Sequence, residues 1–270
     1  MDRIKRCFKK VIKILSLKEL SILPAYLAYS LVLAIVPIIT IIVVILSIFN
    51  ISIDTVTSLI NDLLPDYASD VIVNAISGES FDWSVGVLNF ATFVIATNGM
   101  YAIVNASNNL YKLDSESQIK DRFRSLLILV IMIMLLLFMI IVPLLGDKIV
   151  MLISTFVTSK NVIDLVVMIY SALKWPITLL LIFLAIKLIY IIAPSVKINA
   201  EETTLGAFVT TMGWSIFTAI FGYYINFFGR YDIIYGGLAS IIILLIWFYV
   251  LSFILILGIV INTRKYNKNH

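Results

Sequence analysis

The sequence predicts an all-α fold: a polytopic membrane helical bundle with six transmembrane helices, plus interfacial amphipathic helices. Three observations predict it. The 270 residues are 61% hydrophobic and only 13% charged, with a mean hydropathy of +1.07. A soluble domain is about 45–50% apolar and about 25% charged, so the excess apolar surface here must face lipid. The apolar residues form continuous runs of span length with no alternation, which selects helices over barrel strands. Basic residues gather at the ends of those runs.

The runs follow one another in order. The first is Tyr26–Phe49, within an apolar stretch too long for a signal-peptide core and without a cleavage site, so it reads as an uncleaved span. The second, Trp83–Asn105, is more polar than the rest. The third starts near Ser125, is apolar to Leu145 and continues as helix to about Thr158. The fourth lies within Asp164–Ile192, the fifth is Thr204–Phe228 and the sixth Gly236–Asn262.

Orientation follows from Lys and Arg in the connections. Residues 1–25 carry Arg3, Lys5, Arg6, Lys9, Lys10, Lys13 and Lys18. The 50–82 loop carries no base but has Asp54, Asp62, Asp66, Asp70, Glu79 and Asp82. Lys112, Lys120, Arg122 and Arg124 follow the second span. The third connection has Lys148 and Lys160, the fourth Lys197, the fifth Arg230. Residues 263–270 hold Arg264, Lys265 and Lys268. The alternation places residues 1–25 and 263–270 in the cytoplasm, on either side of a transmembrane domain over 26–262, and the 50–82 loop outside. It also accounts for the net charge of +4, so no nucleic-acid partner is expected. Apolar residues at helical spacing in 1–25 and in 56–64 predict short amphipathic helices on the inner and outer surfaces. The inner one suits anionic lipid heads.

No catalytic constellation and no metal site emerges. The single histidine is His270 and the single cysteine Cys7, which excludes a zinc site of His and Cys and an intrachain disulfide. No phosphate-cradling glycine loop is present, and no cofactor is expected. Asp114, Glu116 and Asp121 alternate with bases. Glu201 and Glu202 sit where a helix dipole favours acids, at the start of a span.

The informative residues are polar groups inside spans, which are costly in lipid. Asn98 and Asn105 are seven apart and share a face of the second span. That face either lines a polar path or makes interhelical hydrogen bonds. The fifth span carries Thr210, Thr211, Tyr223 and Asn226. Its stripe Ala207, Thr211, Ser215 and Ala219 permits close helix packing. Lys174 adds a cation to the fourth span. Any path is therefore expected between spans two and five. Pro37 and Pro176 interrupt spans one and four, which hold corresponding places in two halves of opposite topology, as in broken-helix transporters. Pro143 interrupts span three. At the outer end of spans five and six, Arg230, Asp232 and Tyr235 either hold an anionic head group, gate an opening, or shape the turn at Gly236-Gly237.

Three stretches resemble the YihY/BrkB membrane proteins, once labelled ribonuclease BN. They are Ala25-Tyr26-Leu27-Ala28-Tyr29 with Ala34-Ile35-Val36-Pro37, then Asn109-Leu110-Tyr111 with the basic stretch to Arg124, then Tyr235-Gly236-Gly237-Leu238-Ala239 with Trp247, Leu257-Gly258 and Asn262. Gly206-Ala207 and Trp214 also fit. Ala34 stands where that family usually has Ser, and Val260 where it often has Glu. The resemblance implies a bacterial cytoplasmic-membrane protein that transports or flips an envelope lipid or small amphiphile. The alternative is a non-catalytic assembly or scaffold protein. The partners expected are membrane lipids and further copies of the chain.

With the N-terminus inside, a membrane-impermeant maleimide should leave Cys7 unlabelled in intact cells and label it after permeabilisation. In a Cys7→Ser background, Ser80→Cys should react from outside. The reverse pattern would overturn the orientation.

Overall fold

The structure, a computed structural model, describes residues 22–34, 86–113, 117–156, 160–228 and 239–269. The expected inner and outer amphipathic helices, the whole 50–82 loop and residues 35–49 of the first span lie outside these residues. The described helices are α1 (Ile22–Ala34), α2 (Gly86–Tyr111), α3 (Gln118–Phe156), α4 (Lys160–Ile192), α5 (Ala200–Phe228) and α6 (Ala239–Asn269).

The second to sixth expected spans reappear as helices, and of the first only Ile22–Ala34 is described. The sixth runs on through the tail to Asn269, and the third ends at Phe156. At 1.5 Å per residue, the 39 residues of α3 and the 33 of α4 are about 58 and 50 Å long. The hydrocarbon layer is about 30 Å thick, so helices of these lengths project beyond it or tilt. Among the described residues, three helices are long and apolar enough to cross a membrane: Val162–Ile192, Ala200–Tyr224 and Ile242–Asn267. Apolar side chains line much of the outside, including Leu165, Met168, Trp175, Leu180, Ile216 and Ile220. That surface is stable only against lipid. The protein is an integral membrane protein.

Two expectations need correction. Pro176 does not break its span, because α4 is continuous through it, and α3 likewise continues through Pro143. An interior proline removes one hydrogen bond, a loss that membrane helices tolerate when neighbours and side chains compensate. Pro37 lies outside the described residues.

Successive helices pack as neighbours from α2 to α6, and α6 returns to touch α2. α1 lies on α2, where a Cβ on Gly99 would stand 2.8 Å from the Ala34 Cβ and 2.9 Å from the Ser30 carbonyl oxygen. Buried Ala96, Ala102, Val104, Ala106 and Ser107 keep the rest of α2 slim. Small residues matter because lipid tails are as apolar as leucine, so helices associate through close packing and hydrogen bonds. The tightest fit joins α5 to α6 at Gly206 and Gly258. A Cβ on Gly258 would come within 2.2 Å of both the Thr210 Oγ1 and the Tyr190 hydroxyl. Gly222 on α5 has open space instead.

Gly258→Ala should therefore destabilise the purified protein by roughly 1–3 kcal/mol. Gly222→Ala should be neutral or stabilising by up to about 1 kcal/mol, because alanine is the better helix former. Thermal unfolding in one detergent compares the two, and equal shifts would refute the close-approach account.

Candidate functional site

Two buried polar clusters stand out. The first forms where α2 turns into α3. α2 ends in a Schellman turn: the Lys112 N–H donates to the Asn109 carbonyl at 3.2 Å and the Leu113 N–H to the Asn108 carbonyl at 2.9 Å. Lys112 takes the left-handed conformation, φ 57°, that glycine usually supplies there. This turn sets Asn108 beside the first turn of α3, where Asp121 has no exposed surface.

The Asp121 carboxylate is closely held. Its Oδ1 accepts from the Arg124 guanidinium at 2.6 Å and from the Ser195 hydroxyl at 3.0 Å. Its Oδ2 accepts from Asn108 Nδ2 at 3.4 Å. Arg124 also donates to the Ser195 Oγ at 2.9 Å and to its carbonyl at 3.1 Å. The Ser195 N–H donates to Asn108 Oδ1 at 2.8 Å. One ion pair thus locks α2, α3 and the α4–α5 connection together. Nearby, Tyr111 packs edge-on against Tyr266 of α6, with ring centroids 5.5 Å apart. Burial pushes the Tyr111 phenol above its ordinary pKa range, so it stays neutral.

The second cluster is a seam among α4, α5 and α6. The Tyr190 hydroxyl lies 2.6 Å from the Thr210 Oγ1 and donates to the Leu255 carbonyl at 2.8 Å. The Trp214 indole N–H donates to the Leu251 carbonyl at 2.9 Å. The Gly206 N–H donates to Asn262 Oδ1 at 3.0 Å. Yet Trp247 Nε1, Ser252 Oγ and Asn262 Nδ2, all buried on α6, have no hydrogen-bond partner among the described residues.

The start of α5 is a capping motif. The Glu202 N–H donates to the Asn199 carbonyl at 3.0 Å, and the Asn199 N–H donates to Glu202 Oε2 at 3.3 Å. Glu202 is therefore a helix-capping residue, consistent with its first-turn position.

The structure scatters the residues proposed for a polar pathway. Thr210 is buried in the seam. Asn105 is half-buried, and Asn98 is exposed on α2, where it accepts from Arg122. Lys174 is half-buried, and Tyr223 is exposed at the far part of α5. The Asn226 side chain, and Arg230, Asp232 and Tyr235, lie outside the described residues. The expected path between spans two and five falls on helices that are not main neighbours among the described residues. Among the described residues, the main neighbours of α5 are α4 and α6, and α6 also touches α2. Sequence reasoning missed Asp121, Ser195 and Tyr190. Only the i, i+3 spacing of Asp121 and Arg124 offered a signal, and it reads equally as a solvated surface pair.

Among the described residues, no group of three or more His, Cys, Asp or Glu could hold a metal ion. The family profile described as Virulence factor BrkB matches residues 11–270. A curated relative, the ribonuclease-like protein YfkH of Bacillus subtilis (strain 168), is 29% identical over 222 residues, covering 81% of this chain and 80% of that protein. No solved structure matches the chain.

Removing one partner of a buried ion pair strands the other. Asp121→Ala should cost roughly 3–5 kcal/mol of stability, and Ser195→Ala about 1–2 kcal/mol. Unfolding in detergent, with membrane abundance as a second readout, checks the order of the two losses.

Proposed function

The chain belongs to the Virulence factor BrkB family of membrane proteins, and we propose that it is a six-span transporter or flippase of an envelope lipid or small amphiphile in the bacterial cytoplasmic membrane, with both termini inside. The carrying observation is the set of polar atoms on α6 without a partner among the described residues: Trp247 Nε1, Ser252 Oγ and Asn262 Nδ2. They extend over about 22 Å of helix, most of a hydrocarbon layer about 30 Å thick. Each unpaired buried group costs about 1–3 kcal/mol. A second arrangement, with α5 and α6 parted, would let water or a polar head group satisfy them. The closed packing is then one of two states that differ by a few kcal/mol, as alternating access requires.

A second reading, a non-catalytic assembly partner in the envelope, is favoured by the close fit at Gly206 and Gly258. A rigid interior suits a scaffold. The ribonuclease-like description is said of the Bacillus relative and is not carried over to this chain.

Liposomes containing the purified protein, loaded with a fluorescent phospholipid and quenched from outside, test the choice. The transporter reading expects lipid exchange faster than in protein-free vesicles. Ser252→Ala should stabilise the closed state by about 1 kcal/mol and slow that exchange. Exchange no faster than in empty vesicles would reject the flippase in favour of the scaffold.

A further inference from the structure

Arg122 and Arg124 are two residues apart on α3 and behave differently. Arg124 turns inward and pairs with Asp121. Arg122 lies on the exposed surface, where its guanidinium sits 4.4 Å from the centroid of the Tyr101 ring and its Nη1 donates to Asn98 Oδ1. Asn98 and Tyr101 lie about 20 and 15 Å along α2 from its end at Tyr111, whereas Arg122 lies only about 6 Å into α3. The side chain therefore reaches along α2 away from the Lys112 turn. An arginine near a span end ordinarily snorkels the other way, towards water.

No carboxylate among the described residues pairs with Arg122. A guanidinium carries five donors, and among the described residues one is engaged. Because Asn98 accepts through Oδ1, its Nδ2 is a further donor beside the same charge. The surrounding exposed side chains are apolar: Val94 and Ile95 lie one turn before Asn98, and Phe123, Leu127 and Val130 follow Arg122 along α3. A fixed cation with spare donors, bordered by aliphatic surface, is complementary to one kind of ligand in a bilayer. Its head must be an anionic phosphate and its body must be acyl chain.

We propose that Asn98, Tyr101 and Arg122 form a binding site for an anionic phospholipid of the cytoplasmic leaflet. The guanidinium and the Asn98 amide hold the phosphodiester, and the chains lie over Ile95 and Val130. The leaflet assignment rests on the orientation proposed above, but binding does not require transport. The site is separate from the α4–α6 seam.

Delipidated full-length protein in detergent, titrated with phosphatidylglycerol and followed by native mass spectrometry, tests this directly. One phosphatidylglycerol should bind more tightly than phosphatidylcholine. Arg122→Gln should weaken that binding roughly tenfold or more, Asn98→Ala less, and Lys197→Gln should leave it unchanged. Millimolar inorganic phosphate should not displace the lipid. Unaltered binding by Arg122→Gln, an equal loss in Lys197→Gln, or displacement by free phosphate would each overturn the proposal. Thermal unfolding of each variant confirms that it is folded, because Arg122 is exposed and its loss should not unfold the bundle. Loss of lipid exchange in vesicles with intact phosphatidylglycerol binding would reject the transport reading and leave this site standing.

Discussion

The Asp121 carboxylate has no exposed surface, and the rest of this end of the bundle is arranged around it. An isolated buried carboxylate would cost several kcal/mol, so it must be surrounded by donors. Arg124, Ser195 and Asn108 supply them, and each comes from a different part of the chain or a different turn of helix. That requirement fixes the Lys112 turn, the depth at which α3 begins and the position of the α4–α5 connection. The connection in turn presents Asn199, which starts α5 through its bonds with Glu202. One desolvated charge therefore sets the relative placement of α2, α3 and α5. Its net contribution to stability is small, because the attraction mainly offsets desolvation; what it supplies is register.

Away from that end, the constraint changes. Within lipid there is little hydrophobic drive for helices to associate, and close packing with polar contacts must suffice. α5 and α6 meet this with glycines that let backbone and hydroxyl groups approach. Gly258 admits Tyr190 and Thr210, and Gly206 admits Asn262. The hydrogen bonds and the missing side chains are parts of one device. A larger residue would expel the partner that satisfies the polar group.

Much of the fold was legible in the sequence because it depends on local pattern. Continuous apolar runs located the helices, and the acids at Glu201 and Glu202 marked the start of α5. Gly206 and Gly258 appeared in the stretches that carry the family resemblance. The proline reading failed for a physical reason. A proline removes one bond and bends the backbone, but whether a helix ends there depends on its neighbours, which sequence does not show. The polar sites were less legible for a similar reason. Asn98 and Asn105 share a helical face in projection, yet Asn98 meets Arg122 and the outer surface, while Asn108 faces Ser195. Spacing along a helix gives the direction of a side chain and leaves open what lies there. Asp121 and Ser195 are 74 residues apart, and nothing local marks them as a pair.

The interior presents an apparent contradiction between tightness and polarity. Where α5 and α6 touch through glycine, the fit leaves no room for a substrate. On the same helix, the Trp247, Ser252 and Asn262 donors are enclosed without partners among the described residues. A structural element under selection for rigidity alone would replace them with apolar groups of the same shape, which is neutral or stabilising. Retaining polar atoms that the closed packing does not use is consistent with a second packing that does use them. The glycines then have a further role: contacts made over small, smooth surfaces separate with less disruption than interlocked large side chains. Among the described residues, the hydrogen bonds around Asp121 and those of the α5–α6 seam are made by different side chains, and the Tyr111–Tyr266 ring contact links the two regions. The side chains that hold register are thus different from those that would move.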